Sequence, residues 1–242
     1  MGTPRVYVDA DLAAGRELGL PLETAAHLAR VLRLRPDDAV VRFNGDGRDS
    51  AGTLLAARRE DTRVLVGSAG EAVAEPPLRL HLAVGVSRGE RMDFVVQKAV
   101  ELGVASIRPL FTERSMVRLD AERMERRHAH WHGVLVAACE QSGRRRLPRL
   151  HPPAHLAEWL PTVAGTALLL DPQAQRSLAG LPAPDRAATL LVGPEGGLSG
   201  AERTRAERAG LVPVRLGPRI LRTETAPVAA LAAMQVLWGD LR

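Results

Sequence analysis

The chain has one cysteine, one lysine and one tyrosine, and aromatic residues make up 3% of its 242 positions. Each scarcity excludes something. A lone thiol, Cys139, cannot form an internal disulfide, and a reducing, cytoplasmic setting is the simplest one for such a chain. Its place after the apolar run Val134-Leu135-Val136-Ala137-Ala138 predicts a buried small hydrophobe rather than a nucleophile. With so few aromatics, any stacking on nucleic-acid bases is sparse, and Trp131 and Trp159 read as core or interface residues. No stretch reaches the ~18 to 20 uninterrupted apolar residues of a membrane-spanning helix. Met1-Gly2-Thr3-Pro4-Arg5 lacks the apolar core of a signal peptide. Two common ligand motifs are also missing. No Gly-Lys-Ser/Thr follows a glycine-rich loop, so there is no phosphate loop. Gly45-Asp46-Gly47-Arg48-Asp49-Ser50 does not complete the dinucleotide fingerprint, and no early strand leads into one.

Because Lys98 is the only lysine among 33 basic residues, the positive charge is carried by arginine. So strong a bias reflects genome composition as much as function, and clustering is therefore more telling than abundance. The net charge of +5 is uneven: residues 1–75 hold ten basic against twelve acidic residues, and 76–242 hold 23 against 16. Residues 114–149 carry nine arginines and four acids, a pattern suited to a polyanion, since the planar arginine fork matches phosphate.

Residues 1–74 carry short β-like runs: Arg5–Val8, Ala39–Phe43, Ala51–Leu55 and Thr62–Val66. Asn44-Gly45-Asp46-Gly47 between two of them is a hairpin signal. One helix is predicted from Glu23 to Leu32. This part reads as a small β-barrel, and the proline-bearing stretch Gly70–Pro77 as the linker to a second domain over 75–242. There the rhythm alternates. Strands are predicted at Leu78–Val86, Ser106–Leu110, Ala167–Leu170, Thr189–Val192 and Val212–Leu216. Helices are predicted at Arg91–Leu102, Asp120–Gln141, after the capping box Ser199/Glu202 up to Gly210, and from Thr225 to about Trp238. Alternation of this kind implies a mainly parallel sheet with helices on both faces.

Two glycine-bearing loops carry the functional signal. Gly193-Pro194-Glu195-Gly196-Gly197-Leu198-Ser199-Gly200-Ala201-Glu202 and Leu216-Gly217-Pro218-Arg219-Ile220-Leu221-Arg222-Thr223-Glu224-Thr225-Ala226 each follow an apolar strand and precede a helix. That puts both at the carboxyl ends of strands, where open α/β sheets bind ligands. Gly196 and Gly197 allow main-chain groups close approach, and Leu216, Ile220 and Leu221 are suited to wall a flat ring. Two structural turns would give the same pattern.

These loops, with Gln97-Lys98-Ala99-Val100-Glu101-Leu102-Gly103, Glu113-Arg114-Ser115 and Glu140-Gln141-Ser142-Gly143-Arg144, closely resemble the RsmE methyltransferases of the SPOUT superfamily. The resemblance covers nearly the whole chain. It implies an α/β fold: a C-terminal SPOUT domain with a trefoil knot, preceded by a small PUA-like β-barrel that docks RNA, and assembled as a homodimer. It implies S-adenosylmethionine-dependent methylation of N3 of one uridine in 16S ribosomal RNA, free or in the small subunit. Carried over by position, it puts the cofactor against Leu170, Gly193, Glu195, Gly196, Gly197, Leu216, Gly217, Ile220, Leu221, Arg222 and Thr225. Lys98, Glu101, Arg114, Arg144, Arg145 and Arg146 are the implied RNA-binding residues. Methylation of ribose 2′-oxygen or of transfer RNA by the same class, or a non-catalytic RNA-binding module, are the competing readings.

Uridine N3 carries a proton, so methylation there needs a base, a cation near the uracil oxygens and accurate positioning. Glu224 is the candidate base and Arg222 the candidate cation, with Arg114 and Arg144 as alternatives. Glu224 is equally suited to favour a helix dipole at the start of the last helix. Lys98 and Glu101 make an ordinary i,i+3 pair, and Arg144–Arg146 is either a backbone-gripping loop or a solvated charge run. His128 and His132 share a helix face, but no carboxylate or cysteine stands at ligand spacing, and neither a metal nor a membrane partner is expected.

Overall fold

The structure is a computed structural model that describes residues 3–26, 28–29, 33–58, 61–74, 76–115 and 121–241. Its contacts divide the chain into two units, one of residues 1–75 with 139–147 and one of 76–138 with 148–242.

The first unit is a five-stranded sheet in the order β1-β3-β4-β5-β2. The strands are β1 (Arg5–Tyr7), β2 (Glu17–Gly19), β3 (Ala39–Phe43), β4 (Ser50–Arg58) and β5 (Asp61–Ala69). β1 runs parallel to β3 and the other pairs are antiparallel. The Asn44–Gly47 turn joins β3 to β4 as the sequence predicts. Val6, Val8, Leu18, Leu28, Val40, Leu54, Val64 and Val66 form its core. Arg42 is wholly buried beside them, and its Nη2 donates to the carbonyls of Ala51 and Leu65, where the β4–β5 register slips. α1 begins at Leu22, one residue before the predicted start, and runs to Ala26. The rest of the predicted helix falls partly on residues 27 and 30–32, outside those described.

Residues 139–147 complete this unit. The Glu140 carboxylate accepts from the Tyr7 amide at 2.9 Å, and Arg5 and Arg145 both hold Asp49, at 2.7 and 2.8 Å. Cys139 is buried, and burial pushes its thiol up to about 11.

The second unit is an α/β layer structure. Its all-parallel sheet has the order β12-β10-β11-β6-β7-β8, with β9 also pairing β7. The strands are β6 (Arg79–Gly85), β7 (Ser106–Phe111), β8 (Arg149–Leu150), β9 (Ala154–His155), β10 (Thr166–Leu170), β11 (Ala187–Val192) and β12 (Val212–Val214). β12 stops two residues short of the predicted Leu216, because the Arg215 amide turns to the Arg176 carbonyl. The helices are α2 (Glu90–Glu101), α3 (Ala121–Ser142, its last turn in the first unit), α4 (Leu156–Trp159), α5 (Gly200–Arg208) and α6 (Thr225–Trp238). α6 packs on α2 and β6, and the buried Gln235 amide donates to the Leu102 carbonyl at 2.7 Å. On the other face, Ala83, Leu110, Leu169 and Leu191 form a core with Leu156, Trp159 and Leu160 around α4 and Ala206 of α5.

The Ser199/Glu202 capping box is present and starts α5. The buried Glu202 carboxylate also accepts from the Glu113 amide at 2.8 Å, tying the end of β7 to the head of that helix. No described helix is long and apolar enough to cross a membrane.

Candidate active site

After β9 the chain passes from one side of the sheet to β10, next to the far edge strand β12, so β11 and β6 are neighbours although separated by about a hundred residues of sequence. At their carboxyl ends the backbones meet. A Cβ placed on Gly85 would lie 2.5 Å from Pro194, so glycine is required there for the first loop to cross the top of β6. That loop closes on itself through the Gly197 amide, which donates to Pro194 O at 2.8 Å. The second loop follows β12. Gly217 at its start has φ 142°, a conformation that side chains strongly disfavour.

Between the loops lies a cavity of about 330 Å³. It sits at the carboxyl ends of β10, β11 and β12, as the rule for open parallel sheets requires. Leu170, Gly193, Glu195, Gly196, Gly197, Leu216, Gly217, Ile220 and Leu221, all singled out in the sequence, line it together with Arg114. Arg222, Glu224 and Thr225 stand just beyond the lining, next to Thr223 and Ala226, which belong to it. The Arg222 carbonyl accepts from the amides of Thr225 and Ala226 and so caps the first turn of α6.

Side chains cross-link the walls. Arg114 Nη1 donates to Gly196 O at 3.0 Å, which brings the loop after β7 against the first glycine loop. Thr223 Oγ1 donates to Gly193 O at 3.3 Å and stands 3.3 Å from Ser87 Oγ, joining the second loop to the first and to the end of β6. Arg91, in the first turn of α2, reaches both loops: Nη1 is 3.1 Å from Glu195 Oε1 and Nε is 3.9 Å from Glu224 Oε2. Burial pushes the Glu195 carboxyl up. The Arg88 amide, its own backbone N–H and the Arg91 guanidinium outweigh that and hold it below its ordinary value.

Sequence reasoning missed a third wall. Asp171, Pro172 and Gln173 follow β10 and line the cavity. The buried Asp171 carboxylate accepts from the Gln173 amide at 2.9 Å and lies 3.7 Å from Arg203. The signal that could have found them is their position directly after a buried strand that neighbours β11.

The RNA-binding candidates are dispersed. Lys98 and Glu101 bind each other at 2.8 and 3.0 Å on α2 and are not among the cavity lining residues. Arg145 is held by Asp49 and by the Glu71 carbonyl, Arg146 by the Val73 carbonyl, and the Arg144 carbonyl accepts from Arg5. The Arg144–Arg146 run thus makes internal bonds within the first unit. His130 pairs with Asp93, and no group of three metal-ligating side chains is found among the described residues.

The model of the RNA methyltransferase domain matches residues 74–235. Among curated proteins, the chain is 31% identical to the ribosomal RNA small subunit methyltransferase E of Buchnera aphidicola, over 98% of each chain. It is 30% identical to the protein of the same name from Bacillus subtilis, over 90% of this chain and 91% of that one. A crystal structure of ribosomal RNA small subunit methyltransferase E from Neisseria gonorrhoeae, bound to S-adenosylmethionine, superposes with a TM-score of 0.92 at 38% identity, covering both chains completely.

Proposed function

The chain belongs to the ribosomal RNA small subunit methyltransferase E family, and on that premise we propose that it transfers a methyl group from S-adenosylmethionine to N3 of a uridine in 16S ribosomal RNA. The observation that carries the reading is the cavity closed by both glycine loops at the carboxyl ends of β10, β11 and β12. Its volume falls within the ~300–1,000 Å³ usual for small-molecule sites. Its lining fits the donor: Leu170, Leu198, Leu216, Ile220 and Leu221 supply aliphatic walls for a purine, and the exposed main chain of two loops supplies donors and acceptors.

When bound, S-adenosylmethionine supplies a methyl group on an electrophilic sulfonium. The residues of the chain do the rest. Leu170, Gly193, Glu195–Gly197, Leu216, Gly217, Ile220, Leu221, Arg222 and Thr225 form the donor site in this reading. Glu224, next to the lining residue Thr223, takes the N3 proton, and Arg222 or Arg114 faces the uracil oxygens as negative charge develops. For Glu224 to act as a base, the Arg91 contact at 3.9 Å has to yield to substrate. Its place at the N-cap of α6 equally suits a structural carboxylate. Single-turnover kinetics separates the two. A base role predicts a loss of about 100-fold or more in Glu224→Gln with donor binding intact, and a normal rate leaves only the structural role.

The rest of the reading concerns assembly. Residues 1–74 are a PUA-like barrel that docks RNA, and residues 75–242 are the catalytic domain. The C-terminal half carries a trefoil knot, with the last helix threaded through a loop, as family membership implies. A homodimer is supported by exposed apolar side chains on the packed pair α2 and α6: Phe94, Val236 and Leu237. The work is done in the cytoplasm, where small subunits are made. Nucleoside analysis of 16S ribosomal RNA from cells lacking the gene tests the reaction. 3-Methyluridine is expected to be missing and to return on incubation with the purified protein and S-adenosylmethionine. Its persistence in those cells would remove the assignment.

A further inference from the structure

The amino ends of the sheet strands carry a second polar cluster that the reaction does not use. In register, His81 of β6 pairs with Ser106 of β7, and Ser106 with Arg149 of β8. Register partners project from one face, and so do residues two apart on a strand. Arg79, His81, Ser106, Arg108, Arg149 and His151 therefore share one face, the last because its amide continues the ladder to Ile107 O. Two residues further along β6 the same face turns apolar, at Ala83, and enters the core under α4 and α5. The polar half lies beyond that cover. Arg79 and Arg149 are exposed, and Arg108 and both histidines are half-buried.

The cluster is organised. Arg108 Nη2 donates to His151 Nδ1 at 2.8 Å, which fixes the proton of the neutral ring on Nε2 and turns that atom into a donor. Arg108 Nη1 also donates to Pro152 O at 3.3 Å, and His81 Nδ1 is 2.8 Å from Ser106 Oγ. Burial, then the neighbouring guanidinium groups, pushes His151 down from 6.5 to about 4, so it is neutral at pH 7. Among the described residues no carboxylate pairs with Arg79, Arg108 or Arg149. What the face offers is three permanent cations, two of them exposed, with no carboxylate partner among the described residues. Guanidinium groups across three strands, about 10 Å at ~4.8 Å per strand, can engage more than one phosphate.

We infer that Arg79, Arg108 and Arg149, with His151, form a second RNA-contact surface that grips the phosphate backbone of the substrate at the end of the sheet opposite the methyl-transfer cavity. The separation follows from the strands: His81 to Gly85 on β6 spans about 13 Å. A contact there holds a folded RNA by its backbone and leaves base selection to the cavity. The inference rests on the functional reading above, because it takes RNA to be the substrate.

The test uses the full-length protein, with Arg79→Gln and Arg149→Gln combined, since both side chains are exposed and outside the donor site. A control, Arg176→Gln with Arg208→Gln, removes the same charge from exposed positions outside the patch, the donor site and the arginine-rich stretch 114–149. Binding of 16S ribosomal RNA transcript is measured across a salt series, with S-adenosylmethionine titrated in parallel. The patch variant is expected to bind RNA about three- to ten-fold more weakly, with a salt slope shallower by about 1 to 2, while donor affinity and the control stay at parent values. An unchanged affinity and slope overturns the surface alone. A parent protein that binds neither the transcript nor the intact small subunit overturns the surface and the functional reading together. A variant that binds free RNA normally but fails on the intact small subunit would assign the patch to a ribosomal protein and overturn the RNA contact.

Discussion

Arg91 holds carboxylates from two loops that lie 104 and 133 residues away in sequence. Its guanidinium is about half exposed, so each ion pair is worth only about 0 to 1 kcal/mol. The larger effect is geometric, because one side chain sets the spacing of both loops. Arg91→Ala is expected to weaken S-adenosylmethionine binding by about two- to five-fold in a calorimetric titration, and Arg91→Lys to recover most of it. Equal affinity in all three proteins would deny Arg91 any part in spacing the loops. His151 gives a pH signature. Its folded-state value is about 4 against an ordinary 6.5, so the unfolded chain binds the proton more readily. The stability it contributes is complete above pH 6.5 and is lost as pH falls toward 4. A thermal midpoint that declines across that window should decline less in His151→Gln. None of these partnerships is visible in a linear reading. Arg91 looks like any surface arginine at the start of a helix, and Arg144–Arg146 reads as a free cationic run until Asp49 and two distant carbonyls are brought to it.

Elements whose causes are local were legible in the sequence. The Ser199/Glu202 box lies three residues apart, and the Asn44–Gly47 turn joins adjacent strands; both stand where the sequence puts them. The cavity loops were legible for a related reason, since glycine after a buried strand carries its own structural meaning. Strands β2, β8 and β9 were not. At two or three residues each they have no period to detect, and they exist because β5 and β7 offer them an edge. Glu202 shows a local signal put to a distant use. Its oxygens accept from the amides of Ser199 and Glu113, both at 2.8 Å, inside a buried site. In Glu202→Gln one acceptor becomes an NH₂ facing an N–H. A loss of about 1 to 3 kcal/mol is expected, read as a lower melting temperature in calorimetry. A variant as stable as the parent would mean the site relaxes freely. Gly85→Ala is the packing counterpart. The new methyl would lie 2.5 Å from Pro194, and about 1 to 3 kcal/mol of overpacking strain is expected, together with a displaced first loop and weaker donor binding.

At the scale of the whole molecule, both units are discontinuous in sequence, and the first closes only with a segment borrowed from far along the chain. Residues 139–147 supply the Glu140 acceptor for Tyr7 and the Arg145 partner for Asp49. A fragment of residues 1–75 lacks both and leaves the Tyr7 amide and Asp49 short of partners. Its thermal transition, followed by circular dichroism, is expected to be broad and shifted down relative to the same unit in the full chain. A sharp transition at the full-length temperature would show that the segment adds nothing. The same discontinuity orders events at the ribosome that builds the protein. When residue 75 emerges, the first unit still waits for residue 147, and at ~5 to 20 residues per second that delay is about 4 to 14 s. Through that interval the nascent five-stranded sheet stays unfinished, so the enzyme's own synthesis passes through a half-built state that chaperones, or a pause in translation, could shelter.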